Sequence, residues 1–226
     1  MARAECASWP LLFRQFEMKL KSTNREVCVK AVEPNGFLEY DRCWLEPATA
    51  DSLLDLLMRQ VEWRTRTIKM FGKVFEQPRL IAFQGDRGIQ YRYSGGCHRA
   101  VAWHPRLDEL RQRLFNACGL RFNCVLLNLY RDGRDSMGWH ADNEPELGKH
   151  PVIASVSLGA VRRFVLRRKN RSGTNIALDL EHGSLVLMHG DLQQHWQHQL
   201  PKTRRAVSER INLTFRAIDP SLIARR

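Results

Sequence analysis

Trp139-His140-Ala141-Asp142 places an imidazole two residues before a carboxylate. In an extended segment side chains alternate with period two, so His140 and Asp142 project to one side. There they could occupy two neighbouring positions around a metal. A second histidine would complete the two-histidine, one-carboxylate facial triad, which keeps positions on Fe(II) open for oxygen and an organic ligand. His182, His189, His195 and His198 all follow downstream, and their spacing does not choose among them. A histidine satisfied by a local hydrogen bond is the plain alternative for each.

Arg210-Ile211-Asn212-Leu213-Thr214-Phe215-Arg216 alternates cleanly. Ile211, Leu213 and Phe215 would face a core, leaving Arg210, Asn212, Thr214 and Arg216 on the other face. Two guanidinium forks on one strand face suit a dicarboxylate such as 2-oxoglutarate. A half-exposed strand with a solvated polar side would read the same way. Asn128 and Tyr130 also share one face of an otherwise apolar run, with Leu127 and Leu129 on the other, and buried polar groups need partners.

These segments need a frame. From residue 120 onward the texture is short β-rich runs: 122–130, 152–158, 164–168, 184–188 and 210–215, separated by turns such as Asp132-Gly133 and Ser172-Gly173. Many short strands predict a sandwich, jelly roll or barrel. Upstream, a helix is expected from Pro47, with Leu53, Leu54, Leu56, Leu57 and Val61 on its apolar face. A second is expected over 105–118, stopped by Gly119 and carrying Leu107, Leu110, Leu114 and Phe115. The fold class is thus mainly β with packed helices. Residues 1–36, ending at Pro34-Asn35-Gly36, read as an N-terminal extension of no legible role, and 37–226 as the domain.

The 226 residues carry a net charge of +12. Basic residues concentrate at Arg162-Arg163, Arg167-Arg168-Lys169 and Lys202 with Arg204-Arg205, a field that attracts a polyanion. No apolar run approaches the roughly 18–20 residues a membrane helix needs, and no signal-peptide layout opens the chain. A soluble, intracellular protein is therefore expected. The six cysteines form no C-x-x-C pair, which argues against a structural zinc site, and a disulfide framework is not expected.

Taken in order, Asn128-Leu129-Tyr130-Arg131-Asp132-Gly133, His140-Ala141-Asp142-Asn143-Glu144, Ser155-Val156-Ser157-Leu158-Gly159, His195 through Pro201, and Arg210 through Arg216 resemble the AlkB-type alkylation-repair dioxygenases. The likeness covers roughly residues 65–218, and jointly the motifs are highly specific. The resemblance implies a double-stranded β-helix of jelly-roll type. It implies Fe(II) held by His140, Asp142 and His198, choosing His198 because the distal histidine lies just before Leu200-Pro201. Arg210 with Tyr130 would bind the distal carboxylate of 2-oxoglutarate, and Arg216 with Asn128 the carboxylate beside the keto group; Asn212 and Thr214 share their strand face. No catalytic residue beyond the metal centre is implied.

With O2 as co-substrate, the implied reaction is oxidative demethylation of N-alkylated bases in DNA, such as 1-methyladenine and 3-methylcytosine, releasing formaldehyde, succinate and CO2. Within a nucleotide-recognition segment at 65–100, Tyr93 would stack on a flipped base and Tyr91 would hydrogen-bond nearby, with Glu144 and Asn143 also facing the base. Met70-Phe71-Gly72-Lys73 resembles the finger that members acting on double-stranded DNA insert into the stack, with Arg79 beside the opened duplex. The chain is expected to act as a monomer, in the cytoplasm of a bacterium or the nucleus of a eukaryote. An RNA or single-strand demethylase of the same chemistry is the alternative reading. A protein hydroxylase and a non-catalytic nucleic-acid-binding module fit less well, the first because of the charge, the second because a binder needs none of the ligand residues.

Overall fold

The computed structural model describes residues 27–70, 73–93 and 96–223. The chain opens with the hairpin β1 (Val27–Val32) and β2 (Gly36–Asp41), then helix α1 (Pro47–Gln60). Four strands follow: β3 (Arg64–Met70), β4 (Lys73–Gly85), β5 (Gln90–Tyr93) and β6 (Gly96–Arg99). Helix α2 (Pro105–Cys118) leads into β7 (Cys124–Tyr130), β8 (Met137–His140), β9 (Ile153–Gly159), β10 (Arg162–Arg168) and β11 (Ile176–Leu180). Downstream lie β12 (Leu185–Gly190), the one-turn helix α3 (Leu192–His195), β13 (Trp196–Leu200) and β14 (Arg210–Arg216).

The named strands pair antiparallel throughout, in three sheets. The major sheet runs β1-β2-β12-β9-β14-β7-β4-β3, the minor sheet β11-β10-β13-β8, and β5 pairs with β6 alone. The major sheet is buried on both faces, so strands such as β7 and β9 have almost no exposed residue. On its outer face α1 and α2 supply Leu53, Leu57, Leu107, Leu110 and Leu114, packed on Leu127, Val156, Leu187, Ile211, Leu213 and Phe215. On its inner face Leu126, Ile153, Val186 and Met188 meet Leu166, Leu180 and Trp196 from the minor sheet. Two sheets face to face with helices outside make a jelly roll, as expected.

Helix α2 has the expected limits, 105–118. His104 Nδ1 accepts the Arg106 N–H at its start, and Gly119 ends it at φ 73°, a conformation glycine takes without Cβ penalty. The N-terminal boundary differs from the expectation at residue 36. Pro34-Asn35-Gly36 does turn the chain, but between two paired strands: Val27–Val32 forms the edge of the major sheet, in register with Gly36–Asp41. The 13-residue β4 was also not evident from the sequence, because Pro78 interrupts its pattern. No helix among the described residues is long and apolar enough to cross a membrane.

Candidate active site

β14 lies between β7 and β9, so its backbone is laddered along both edges. Arg210 is opposite Tyr130 on one side and Gly159 on the other. The inward face of β14 carries Arg210, Asn212, Thr214 and Arg216, all lining one pocket. Asn128, Tyr130 and Leu126 from β7, Ser155 from β9, Met188 from β12, and Met137, Phe164, Leu180 and Leu200 from the minor sheet complete that lining with His140, Asp142 and His198.

His140 and His198 are register partners across β8 and β13, with ring centroids 4.2 Å apart. One ligand atom from each of His140, Asp142 and His198 falls within 4.8 Å of the others. Asp142 Oδ2 lies 4.0 Å from His198 Nε2. His140 Nδ1 sits 2.8 Å from the Gly138 carbonyl, which assigns the proton to Nδ1 and leaves Nε2 as a lone-pair donor. Burial, reinforced by His140, holds the His198 imidazole down at about 3, and burial also lowers His140. Burial would raise Asp142, but Arg216 and the two histidines outweigh it and hold the carboxyl at about 2. Two neutral imidazoles and an ionised carboxylate are the protonation states metal binding requires.

Arg216 is buried, and its Nη2 donates to Asp142 Oδ1 at 2.8 Å. Burial opposes its charge, yet Asp142 beside it raises its pKa overall. Arg210 is 1% exposed and has no carboxylate of its own among the described residues. Its Nη2 donates to Ser157 Oγ at 2.8 Å, while Nε and Nη1 find no hydrogen-bond partner there. Burial lowers its pKa to about 10, still charged at neutral pH. A buried guanidinium with two of its nitrogens unused as donors is costly unless an anion meets it. That donor set, at the far end of the pocket from the three ligand atoms, fits a dicarboxylate reaching from metal to Arg210.

The other predicted residues divide. Asn128 is buried, and its Oδ1 accepts from Arg79 Nε at 2.9 Å. Asn212 Nδ2 donates to Ser155 Oγ at 2.8 Å, which makes it a brace between strands. Tyr91 is fully buried, with the Arg216 guanidinium 5.1 Å from its ring centroid. Glu144 is half-buried; burial, then Asp142, raises its carboxyl to about 7. Asn143 is exposed. The backbone of Tyr93 pairs with Gly96 in the β5–β6 hairpin. Met70 and Lys73 pair at the end of the β3–β4 hairpin, whereas Phe71 and Gly72 lie outside the described residues. Arg79, grouped with the finger by resemblance, is 3% exposed and turned inward onto Asn128.

The three other histidines sit elsewhere. His189 is buried against Glu39, Nε2 to Oε1 2.7 Å; His182 Nδ1 accepts the Gly159 N–H; His195 is exposed at the end of α3. Two residues that the sequence reading did not assign to the site also shape it, one of them Arg162 of the basic Arg162-Arg163 pair, which is buried. Arg162 donates to the carbonyls of Asp132, Asp135 and Pro201 and lies over the Tyr130 ring, tying two loops to the pocket wall. Gln193 Oε1 accepts the Asp142 backbone N–H at 2.9 Å.

A family profile described as the 2OG-Fe(II) oxygenase superfamily matches residues 38–216. The chain is 37% identical to the alpha-ketoglutarate-dependent dioxygenase alkB homolog 3 of Bos taurus, over 84% of this chain and 70% of that protein. It is 39% identical to the Homo sapiens protein of the same name, over 76% and 62%. With the DNA oxidative demethylase ALKBH2 of Mus musculus the identity is 40%, over 77% of each chain.

Proposed function

This chain belongs to the 2OG-Fe(II) oxygenase superfamily, and we propose that it is a DNA oxidative demethylase that repairs N-alkylated bases. The observation that carries the reading is a single pocket holding three convergent ligand atoms and, across it, a buried arginine with two nitrogens unused as donors. His140, Asp142 and His198 would hold Fe(II), and Arg210, with Tyr130 beside it, would anchor the distal carboxylate of 2-oxoglutarate. When bound, Fe(II) with 2-oxoglutarate and O2 supplies the oxidation of an unactivated C–H bond, yielding succinate and CO2.

The chain's own residues bind, orient and keep water out. Arg216 holds Asp142 ionised and fixes one of its oxygens, leaving the other toward the histidines. Leu126, Met137, Phe164, Leu180, Met188 and Leu200 line the remaining wall and strengthen those charge interactions by excluding solvent. Asn128 and Arg216 face the carboxylate next to the keto group. Residues 65–100 serve as the nucleotide-recognition segment of the domain, whose major sheet begins with β1. There Tyr91 and Tyr93 meet an extruded base, with Glu144 and Asn143 beside it. Glu144, close to Asp142, favours a cationic base such as 1-methyladenine or 3-methylcytosine. Hydroxylation of the N-methyl group gives an N–CH2OH that collapses to formaldehyde and the restored base.

The finger at 70–73 and the net charge of +12 support double-stranded DNA as substrate, acted on by a monomer in the compartment that holds it. The test is succinate and formaldehyde release with Fe(II), 2-oxoglutarate and methylated duplex, single-stranded DNA and RNA in parallel. Lesion-dependent turnover fastest on duplex is expected. Turnover on RNA alone would move the substrate, and binding without turnover would leave only a nucleic-acid-binding module.

A further inference from the structure

Asp142 stands where the sheet offers least support. β8 is an edge strand of four residues, its last register pair is His140 with His198, and residues 141–144 belong to no strand. The metal carboxylate therefore hangs from backbone that no ladder orients. Its N–H is buried and needs an acceptor. Gln193 provides one from 51 residues away: Oε1 accepts that N–H at 2.9 Å.

Gln193 is fully buried, in the one-turn helix α3 just before the strand that carries His198. Its Nε2 lies 3.5 Å from Met188 Sδ, a weak acceptor, and its backbone carbonyl accepts from Lys169 Nζ at 3.0 Å. A buried amide that obtains only a thioether for its own N–H groups is a poor packing choice; an apolar side chain of equal length would fill the space without that desolvation cost. What the amide does obtain is control of Asp142. With Gln193 on its backbone and Arg216 on Oδ1, the aspartate is held at both ends, and Oδ2 is left facing His198.

We propose that Gln193 is a positioning residue of the metal centre: it sets the Asp142 backbone so that Oδ2 points toward the two imidazoles, without touching metal, co-substrate or base. The inference rests on reading His140, Asp142 and His198 as metal ligands.

The test titrates the metal-free full-length protein with Mn(II), following free Mn(II) by electron paramagnetic resonance, with thermal melting of the same metal-free samples alongside. Gln193→Met keeps length and loses the acceptor; Gln193→Asn keeps the amide but cannot reach. Both should weaken Mn(II) binding by about 10–100-fold, the usual cost of losing a group that orients a metal ligand. Gln193→Glu, kept neutral by burial and still offering an oxygen at that reach, should stay within about fivefold of the parent. A glutamine with a merely structural role would lower the melting temperature and leave the affinity of the folded protein unchanged. A folded Gln193→Met or Gln193→Asn that binds Mn(II) within about twofold of the parent overturns the proposal. If neither variant folds, the glutamine acts in folding and the proposal also fails. A parent that binds no Mn(II) would instead overturn the metal centre on which it rests.

Discussion

Arg210 and Arg216 project from a strand hydrogen-bonded along both edges, whereas His140 and Asp142 lie on and just beyond a four-residue strand at the rim of a smaller sheet. The same pocket is thus built by two means. On the β14 side the backbone ladder aims the side chains: Arg210, Asn212 and Thr214 each face one residue of β7 and one of β9 in unbroken register, and Arg216 faces Cys124 of β7. On the metal side the register shifts between His198 and Leu200, and aim comes from side chains, namely Arg216 and Gln193 on Asp142 and the Gly138 carbonyl at His140. Aim from a ladder is shared by many hydrogen bonds. Aim from side-chain contacts depends on a few, so single substitutions should act differently on the two sides.

Asp142→Asn tests the point where the two sides meet and should have the largest effect. It removes a metal ligand's charge and leaves Arg216 buried without its counter-ion. Succinate formation should fall by about a thousandfold or more, since the chemistry belongs to the bound group. Urea unfolding should show a loss of about 3–5 kcal/mol, the cost of a broken buried pair. Unchanged stability would mean that Arg216 does not depend on the metal side.

Arg210→Met should separate the two sides most clearly. Half-saturation by 2-oxoglutarate should rise by about 100-fold, in line with the 2–5 kcal/mol of a buried charge partner. Mn(II) affinity should stay unchanged, because nothing on the metal side leans on Arg210. Stability of the ligand-free protein should hold or rise, since the change removes a buried cation with two nitrogens unused as donors. A parallel loss of metal affinity would show that the two sides are one unit.

The contrast also explains what the sequence could reveal. β14 was legible because a strand with one face in the core alternates strictly; Ile211, Leu213 and Phe215 are all fully buried. The metal side was legible only in part. His140 and Asp142 announce themselves by spacing, but His198 was chosen by resemblance, because what disqualifies His189 is a glutamate 150 residues away in the chain. Arg79 lies beside the finger in sequence, yet β4 runs straight through it and its parity turns the side chain inward to Asn128. Gln193 carried no signal at all, for its contact is with a backbone N–H that any residue at 142 would present. β1 was missed because its run is apolar but for Lys30 and does not alternate, and its pairing shows only once β2 lies beside it.

A smaller effect is expected at the substrate end, which belongs to neither side. Phe71→Ala should slow repair of methylated duplex about tenfold and leave single-stranded repair within about twofold, because the wedge is needed only where a stack must be held open. Equal losses on both substrates would place Phe71 in packing. Co-substrate and metal affinities should be unmoved.

The smallest predicted change bears most directly on the edge strand. Trp139, between Gly138 and His140, lies under the Arg167 guanidinium at 3.9 Å, and Arg167 also donates to Gln197 Oε1 at 3.3 Å. Arginine 167 thus ties the strand of one ligand histidine to the neighbour of the other, across β13. A half-buried cation–π contact contributes about 0.5–1 kcal/mol. If that contact steadies β8, Arg167→Leu should weaken Mn(II) binding about two- to fivefold, with 2-oxoglutarate affinity measured separately and unchanged. Arg167→Lys, which keeps the cation and loses the planar fork, should fall between parent and leucine variant. An Arg167→Leu protein with full metal affinity would show that β13 pairing alone holds the rim, and the division between ladder and side-chain aim would then stop at Asp142.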